Sequence, residues 1–407
     1  MNLPSLHWQR QSRPDDESAC SLLIALMRGL AALEVAAAHL RAEMFPGLRE
    51  IVGPSLHYQL LAFATGFAHQ AVVVFFLISG WLVGGSLLDK AGRASPAPRG
   101  AAATAGAPWR AYAIDRLTRL WTVLVPALCL MLLVGGLTGA IDPARASFAL
   151  ANDYSATTFI GNLVGLQTVL VKNFSGNYAL WSLANETWYY VQFPLLLIVF
   201  TSRSRMRQAG AAAVLVLLAA SLPFPITLYF ALWLLGAGFS RIRIACGNAL
   251  RAALLAMSAA SAVYFRLYGS NDDLGTASFL QDLVISLPLL ALLSSTRAPS
   301  TRRSPALHLV ARTAHVLSEF SFTLYVTHLP VIKLLRHVGQ QMLGRDRLSP
   351  AAGPDYAIYA GMLLVLLAAA WVSYLLFEAH TFRVRRAIKN ALRPRPRQSK
   401  ITSPSLK

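Results

Sequence analysis

Charge is scarce in this chain. Asp, Glu, Lys and Arg make up 14% of its 407 residues, against 55% hydrophobic residues. That balance excludes an ordinary soluble domain, whose surface needs about a quarter charged residues. Cysteine is almost missing too. Cys20, Cys129 and Cys246 lie far apart without disulfide or metal-ligand spacing, so they read as packing residues and no metal is expected. The first 20 residues are polar and lack the short apolar core and small-residue cleavage site of a secretory signal. No internal repeat stands out, which weighs against an inverted-repeat transporter.

What is present is hydrophobicity in runs of about 20 residues, the length that crosses a bilayer core as a helix. Lipid demands that every backbone polar group be satisfied internally, so the fold class is an all-α polytopic membrane protein. Ten spans are expected, near 21–40, 63–88, 118–139, 179–200, 208–223, 225–240, 252–268, 276–296, 313–338 and 356–378. With the N-terminus inside, 27 of the 37 Lys and Arg fall on inner segments and seven on outer loops. This split follows the positive-inside rule for an N-in, C-in chain. The net charge of +19 is therefore orientation chemistry and contact with anionic membrane lipid, and no nucleic acid is expected as a partner. The domain plan is a polar cytoplasmic N-terminus (1–20), a transmembrane domain (21–382) and a basic, disordered cytoplasmic tail (383–407). Residues 91–108, rich in Ala, Gly and Pro, read as a flexible inner loop. Residues 140–178 form the longest outer loop, and SLPFP at 221–225 makes a tight outer turn.

Five constellations carry polar chemistry into these spans. Arg28 and His39 share a stripe of the first span: eleven residues are about three turns, roughly 16 Å along the axis. Ionisable groups inside a membrane are costly and mark candidate functional sites. A snorkelling Arg28 and a structural His39 are the plain alternative. Ser79-Gly80 follows Phe75 and Phe76 in the second span; small residues allow close helix packing, and no G-x-S-x-G elbow surrounds the serine. Arg116 and Arg119, three apart before the third span, share a helix face suited to bidentate phosphate contacts, or act as topology anchors. In LWSLANETWYYVQFP, Glu186 sits among Trp181, Trp188, Tyr189 and Tyr190. This is an interfacial aromatic belt, or rings and a carboxylate that suit a sugar; Glu186 is also a candidate to orient His39. Last, Tyr325 and His328 lie one turn apart in the ninth span, where a structural histidine is the plainer reading.

In this order and spacing, the five pieces resemble the membrane acyltransferase 3 family. The matching residues are Arg28, Gly29 and His39; Phe75, Phe76, Ser79 and Gly80; Arg116 and Arg119; Trp181, Ser182, Leu183, Glu186, Tyr189 and Tyr190; Ser321, Phe322, Tyr325 and His328. Val73 and His380 depart from the family's usual polar and proline residues. The resemblance implies an O-acyltransferase of the bacterial inner (plasma) membrane, moving acetyl from cytoplasmic acetyl-CoA to a hydroxyl of a surface or exported polysaccharide or glycolipid. Polysaccharide synthesis or export machinery would be its protein partner. Implied roles are His39, Arg28 and Glu186 in catalysis, Arg116, Arg119 and Ser79 at the donor, and Trp181, Tyr189, Tyr190, Tyr325 and His328 at the acceptor. Ser79 or a tyrosine is also a candidate oxyanion donor. The competing class is a proton-coupled transporter or flippase of a polar glycan or lipid, with Arg28, His39 and Glu186 along its path.

Overall fold

The computed structural model describes residues 4–14, 18–93, 107–141, 152–270, 274–297 and 305–392. Helices dominate. In chain order they are α1 (Ala19–Met44), α2 (Leu56–Ala64), α3 (Ala68–Ser79), α4 (Gly85–Arg93), α5 (Ala107–Leu137), α6 (Ala156–Leu163), α7 (Leu180–Thr201), α8 (Arg205–Ser221), α9 (Phe224–Phe239), α10 (Asn248–Tyr268), α11 (Thr276–Ser295), α12 (Pro305–Glu319), α13 (Ser321–Leu343), α14 (Gly353–Leu376) and α15 (Thr381–Ala391). A π-helical turn, Gly80–Gly84, joins α3 to α4. The expected turn at 221–225 falls between α8 and α9.

Among the described residues, six helical stretches are long and apolar enough to cross a membrane: Ala19–Glu50, Leu56–Gly92, Trp109–Leu137, Asn248–Tyr268, Thr276–Ser295 and Gly353–Ala391. Of the other four expected spans, three overlie α7, α8 and α9, and the ninth, 313–338, runs across the break at Phe320 between α12 and α13. Helices α8 and α9 are short, at 17 and 16 residues. Helices α7 and α13 are diluted by polar groups turned inward, among them Ser182, Asn185, Gln192, Thr323, Thr327 and His328. The outward faces are apolar where a lipid-facing surface needs them to be. Of α10, Ser258 alone is buried, while Leu255, Val263 and Leu267 are exposed.

Helices α1 and α13 run parallel at the centre of the bundle. Arg28 bonds Ser321 and, further along both helices, His39 bonds His328. Glycine sets how closely their neighbours approach. A Cβ on Gly29 would stand 2.6 Å from that of Leu317 on α12. On α3 and α9 the fit is reciprocal: a Cβ on Gly80 would strike the Trp233 carbonyl, and one on Gly236 the Leu77 carbonyl. Gly80 is therefore the packing notch that small residues provide between membrane helices.

Both chain ends are more ordered than their sequences suggest. The polar N-terminus supplies strand β1 (Ser5–Trp8), antiparallel to β2 (Ile242–Ala245), with Ser5 opposite Ala245 and Trp8 opposite Ile242. A buried Asp89 fastens this ribbon. It accepts from Ser12 N at 3.1 Å and Ser12 Oγ at 2.7 Å, and pairs with Arg241 at 3.0 Å. Four-residue strands give too little alternation to stand out in a sequence. The tail expected to be disordered from residue 383 begins as α15, tied to α5 by Asp115, which pairs with Lys389 at 2.5 Å and Arg385 at 3.6 Å. Residues 393–407 and most of the 91–108 loop lie outside the described residues.

Replacing Gly80 with Ala would force α3 and α9 apart. We expect a loss of about 1–3 kcal/mol or more, seen as a lower unfolding temperature in detergent. Gly238→Ala on α9 meets nothing within 4 Å and should be neutral or slightly stabilising. Equal stability of the two variants would contradict the notch.

Candidate active site

Arg28 and His39 lie on one stripe of α1, and that stripe faces α13. At the end of the bundle that carries the β-ribbon, Arg28 opens into a cavity of about 270 Å³. Its polar lining includes Arg28, Arg116, Arg119, Ser79, Ser182, Glu186, Tyr190, Ser321 and Tyr325; Phe75, Phe76 and Leu120 supply apolar wall. Helix geometry explains the gathering: Arg116 and Arg119 are one turn apart on α5, and Glu186 and Tyr190 one turn apart on α7. The arginine pair of the third span and the carboxylate of the fourth therefore meet in one chamber.

This chamber favours anions. Three guanidinium groups face Glu186, and Glu378, held by Thr323 N at 3.2 Å and Thr323 Oγ1 at 2.5 Å, lies near enough to act on Arg28 and Arg119. Three positive groups against two negative leave an excess of one, in surroundings where charges interact more strongly than in water. Arg116 is poised between the Tyr112 and Tyr190 rings, 5.8 Å from each centroid, and its Nε is buried with no hydrogen-bond partner among the described residues. A buried, unpaired guanidinium donor fits a phosphate or other anionic oxygen.

Glu186 does not orient His39. It accepts from Ser79 Oγ at 2.6 Å and from the Tyr190 hydroxyl, so it belongs to the arginine chamber. Ser79 accepts in turn from Trp233 Nε1 at 3.1 Å. Its single hydroxyl proton is committed to Glu186, which removes it as an oxyanion donor. Tyr189 is fully buried against Phe76, Phe230 and Trp233, and Trp181 packs edge-on to Phe76. Tyr189 is a core residue and the partly buried Trp181 packs against the core, where the sequence suggested a sugar platform. The Tyr325 hydroxyl, engaged with Ser182 at 2.6 Å and the Ala179 carbonyl at 3.0 Å, is likewise structural.

The partner of His39 is His328. His39 Nδ1 and His328 Nε2 are 2.8 Å apart, with ring centroids 5.0 Å apart. His328 is fully buried, and its Nδ1 lies 2.7 Å from the Tyr325 carbonyl and 3.2 Å from that of Leu324. A nitrogen against a carbonyl oxygen must carry hydrogen. With both rings neutral, the rest follows: His328 Nδ1–H donates to the backbone, His328 Nε2 accepts, and His39 Nδ1–H donates. The Nε2 lone pair of His39 is left unpaired among the described residues, ready to take a proton or attack a carbonyl carbon. His328 thus acts on the first histidine and is too buried to meet an acceptor directly. Sequence reasoning found both residues but not their contact, because 289 positions separate them.

The chamber and the histidine pair are adjacent but not continuous. Tyr325 closes the chamber on that side, packed on Phe75 at 5.6 Å and on His328 at 5.9 Å between ring centroids. On the far side, Tyr178 stands edge-on to His39 at 4.9 Å. Residues from α1, α3, α5, α7 and α13 therefore form a line: arginines and Glu186, an aromatic partition, the two histidines, then Tyr178.

A family model described as an acyltransferase domain, of the acyltransferase 3 group, matches residues 23–377. The chain belongs to that family, and acyl transfer is the chemistry that membership supports. No curated protein and no solved structure matches the chain.

The histidine pair generates a sharp expectation. His328→Leu removes the acceptor for His39 Nδ1–H and should lower acyl-transfer turnover by about 10²-fold or more. His328→Gln keeps an oxygen able to accept and should retain a clearly larger share. Steady-state turnover of the two purified variants checks this; equal rates in Leu and Gln variants would remove the orienting role.

Proposed function

We propose that the protein is a ten-span, N-in and C-in O-acyltransferase of the bacterial inner membrane, carrying acetyl from cytoplasmic acetyl-CoA to a hydroxyl of a surface or exported glycan. The observation that carries this reading is the placement of an anion-favouring arginine chamber and an oriented histidine pair along the same two helices, α1 and α13. The ribbon end is the cytoplasmic end by the distribution of Lys and Arg. Acetyl-CoA bears phosphates at one end and a thioester at the other, so the two features match the two ends of one donor.

In this mechanism Arg116 and Arg119 bind donor phosphates at the cytoplasmic mouth, and Arg28 holds polar groups of the pantetheine arm. Glu186 fixes Ser79 and Tyr190 by accepting from both hydroxyls. The Phe75–Tyr325 partition yields to admit the thioester. His39 Nε2 then takes the proton of the acceptor hydroxyl as the hydroxyl oxygen bonds to the acyl carbon. The carbon–sulfur bond breaks, the thiolate leaves, and the proton on His39 passes to it. His328 holds His39 Nδ1–H throughout, so the ring stays aimed through the charged state. Reaction by direct attack needs no acyl-enzyme, and the single free nitrogen of His39 is sufficient for it.

The donor mouth and the transfer centre are separable by experiment. Purified protein in lipid nanodiscs receives labelled acetyl-CoA and base-deacetylated envelope polysaccharide. His39→Ala should abolish labelled ester on the polysaccharide while the variant still inserts and folds. Arg116→Ala with Arg119→Ala should raise the acetyl-CoA KM by about tenfold or more, since each lost charged hydrogen bond is worth about 1.5–3 kcal/mol. Near-normal ester formation by the His39 variant would remove the central residue. Movement of glycan without any use of acetyl-CoA would favour a flippase instead.

A further inference from the structure

The loop that precedes α7 is a built structure with its own groove. Ser155 caps α6, and Asn162 cross-links the turn by donating to the Thr158 and Lys172 carbonyls, both at 2.8 Å, and accepting from Phe174 N at 3.0 Å. The loop is then pinned to the bundle. Asn177 Nδ2 donates to the Val326 carbonyl at 3.3 Å, and Lys333 donates to the Ser175 carbonyl. Two residues in this stretch adopt left-handed backbone without being glycine: Thr168 at φ 65° and Ser175 at φ 58°. Such conformations persist where the surroundings over-determine them, and they cluster at binding sites. For a β-branched threonine the position is especially unfavourable.

Between these fixed turns lies a cavity of about 570 Å³ lined by Asp153, residues 168–173, Gly176 and Tyr178. Its chemistry differs from that of the arginine chamber. Asp153 and Lys172 face each other at 3.9 Å, both partly exposed. The Asn173 amide oxygen is buried and has no partner among the described residues. Tyr178 is 40% exposed, and its ring forms one wall of the groove while touching His39 edge-on. A carboxylate, an ammonium, an unsatisfied amide oxygen and an open aromatic face are complementary to a ring bearing several hydroxyls: polar groups exchange hydrogen bonds and the aromatic covers the apolar face. None of Trp181, Tyr189, Tyr190, Tyr325 and His328 lines this groove.

We propose that this groove is the acceptor subsite, taking a sugar residue of a polyhydroxylated glycan and presenting one of its hydroxyls to His39 past the Tyr178 ring. The inference rests on the acyl-transfer reading and adds the place where the acceptor binds. The bonds made and broken are those of that reading: the sugar oxygen gains the acyl carbon, its proton goes to His39, and the thiolate departs.

The test uses the full chain in nanodiscs with base-deacetylated envelope polysaccharide as the probe and labelled acetyl-CoA as donor. Asn173→Ala and Tyr178→Ala should each raise the half-saturating polysaccharide concentration by about tenfold, with a much smaller change in acetyl-CoA KM. Tyr178→Phe, which keeps the ring, should restore most of the loss, and Asp153→Asn should fall between. The groove assignment is overturned if Asn173→Ala and Tyr178→Ala saturate as the wild type does. It is overturned equally if their defect falls on turnover and acetyl-CoA KM alone, since that describes a structural prop for His39. If wild-type protein neither releases CoA nor labels polysaccharide, the acyl-transfer reading itself fails, and the groove with it.

Discussion

Two parallel helices, α1 and α13, and the contact between His39 and His328 are what the rest of this structure depends on. A single interhelical hydrogen bond within a membrane contributes about 0.6 kcal/mol, too little to hold two helices together. Its value is directional. The Tyr325 carbonyl fixes the proton on one ring, that ring fixes the proton on the other, and one nitrogen of His39 is left free. Everything around the pair serves that placement. Gly29 brings α12 against α1, the Gly80 and Gly236 contact locks α3 to α9, and the β-ribbon with Asp89 ties the N-terminus to the loop after α9.

The electrostatics follow a similar economy. Burying arginine is costly, and Arg28, Arg116 and Arg119 have Glu186 in their chamber and Glu378 nearby. Glu186 is held by neutral hydroxyl donors, Ser79 and Tyr190, and Glu378 by Thr323. Among the described residues, neither forms a close ion pair with a guanidinium group. The positive excess stays available to an anionic ligand. The opposite end has another character, with Asp153 and Lys172 across a groove and a half-exposed Tyr178 beside His39. Anion-favouring at one end and hydroxyl-favouring at the other is the polarity that trans-bilayer acyl transfer requires.

Much of the scaffold was legible in the chain. Hydrophobic runs marked where helices lie, because length and hydropathy act locally, but the expected ninth span missed the break between α12 and α13. The Arg28–His39 stripe was legible because helical periodicity alone puts both on one face. Arg116 and Arg119 were legible as a pair for the same reason. Partnerships between distant segments were not. Glu186 suggested a partner for His39 because a carboxylate and a histidine make a familiar dyad, yet the fold gives Glu186 to Ser79 and gives His39 a second histidine. The aromatic run in α7 could not reveal which rings face the core, since Tyr189 and Tyr190 are adjacent and point to different neighbours. The β-ribbon and α15 escaped notice because their order comes from Asp89 and Asp115, single residues whose partners lie far along the chain. The groove before α7 depends on left-handed Thr168 and Ser175, conformations that their residue types do not advertise.

The central claim is that an acyl group enters at the arginine end and leaves at the Tyr178 end, with His39 between. The most direct measurement is sidedness in inside-out membrane vesicles. Labelled acetyl-CoA is supplied to the exposed cytoplasmic face, and base-labile label is recovered from polysaccharide sealed in the lumen. Label in the lumen with wild-type protein, and none with the His39→Ala variant, is the result this account predicts. Label confined to acceptors on the donor side, or luminal label that survives loss of His39, would contradict it.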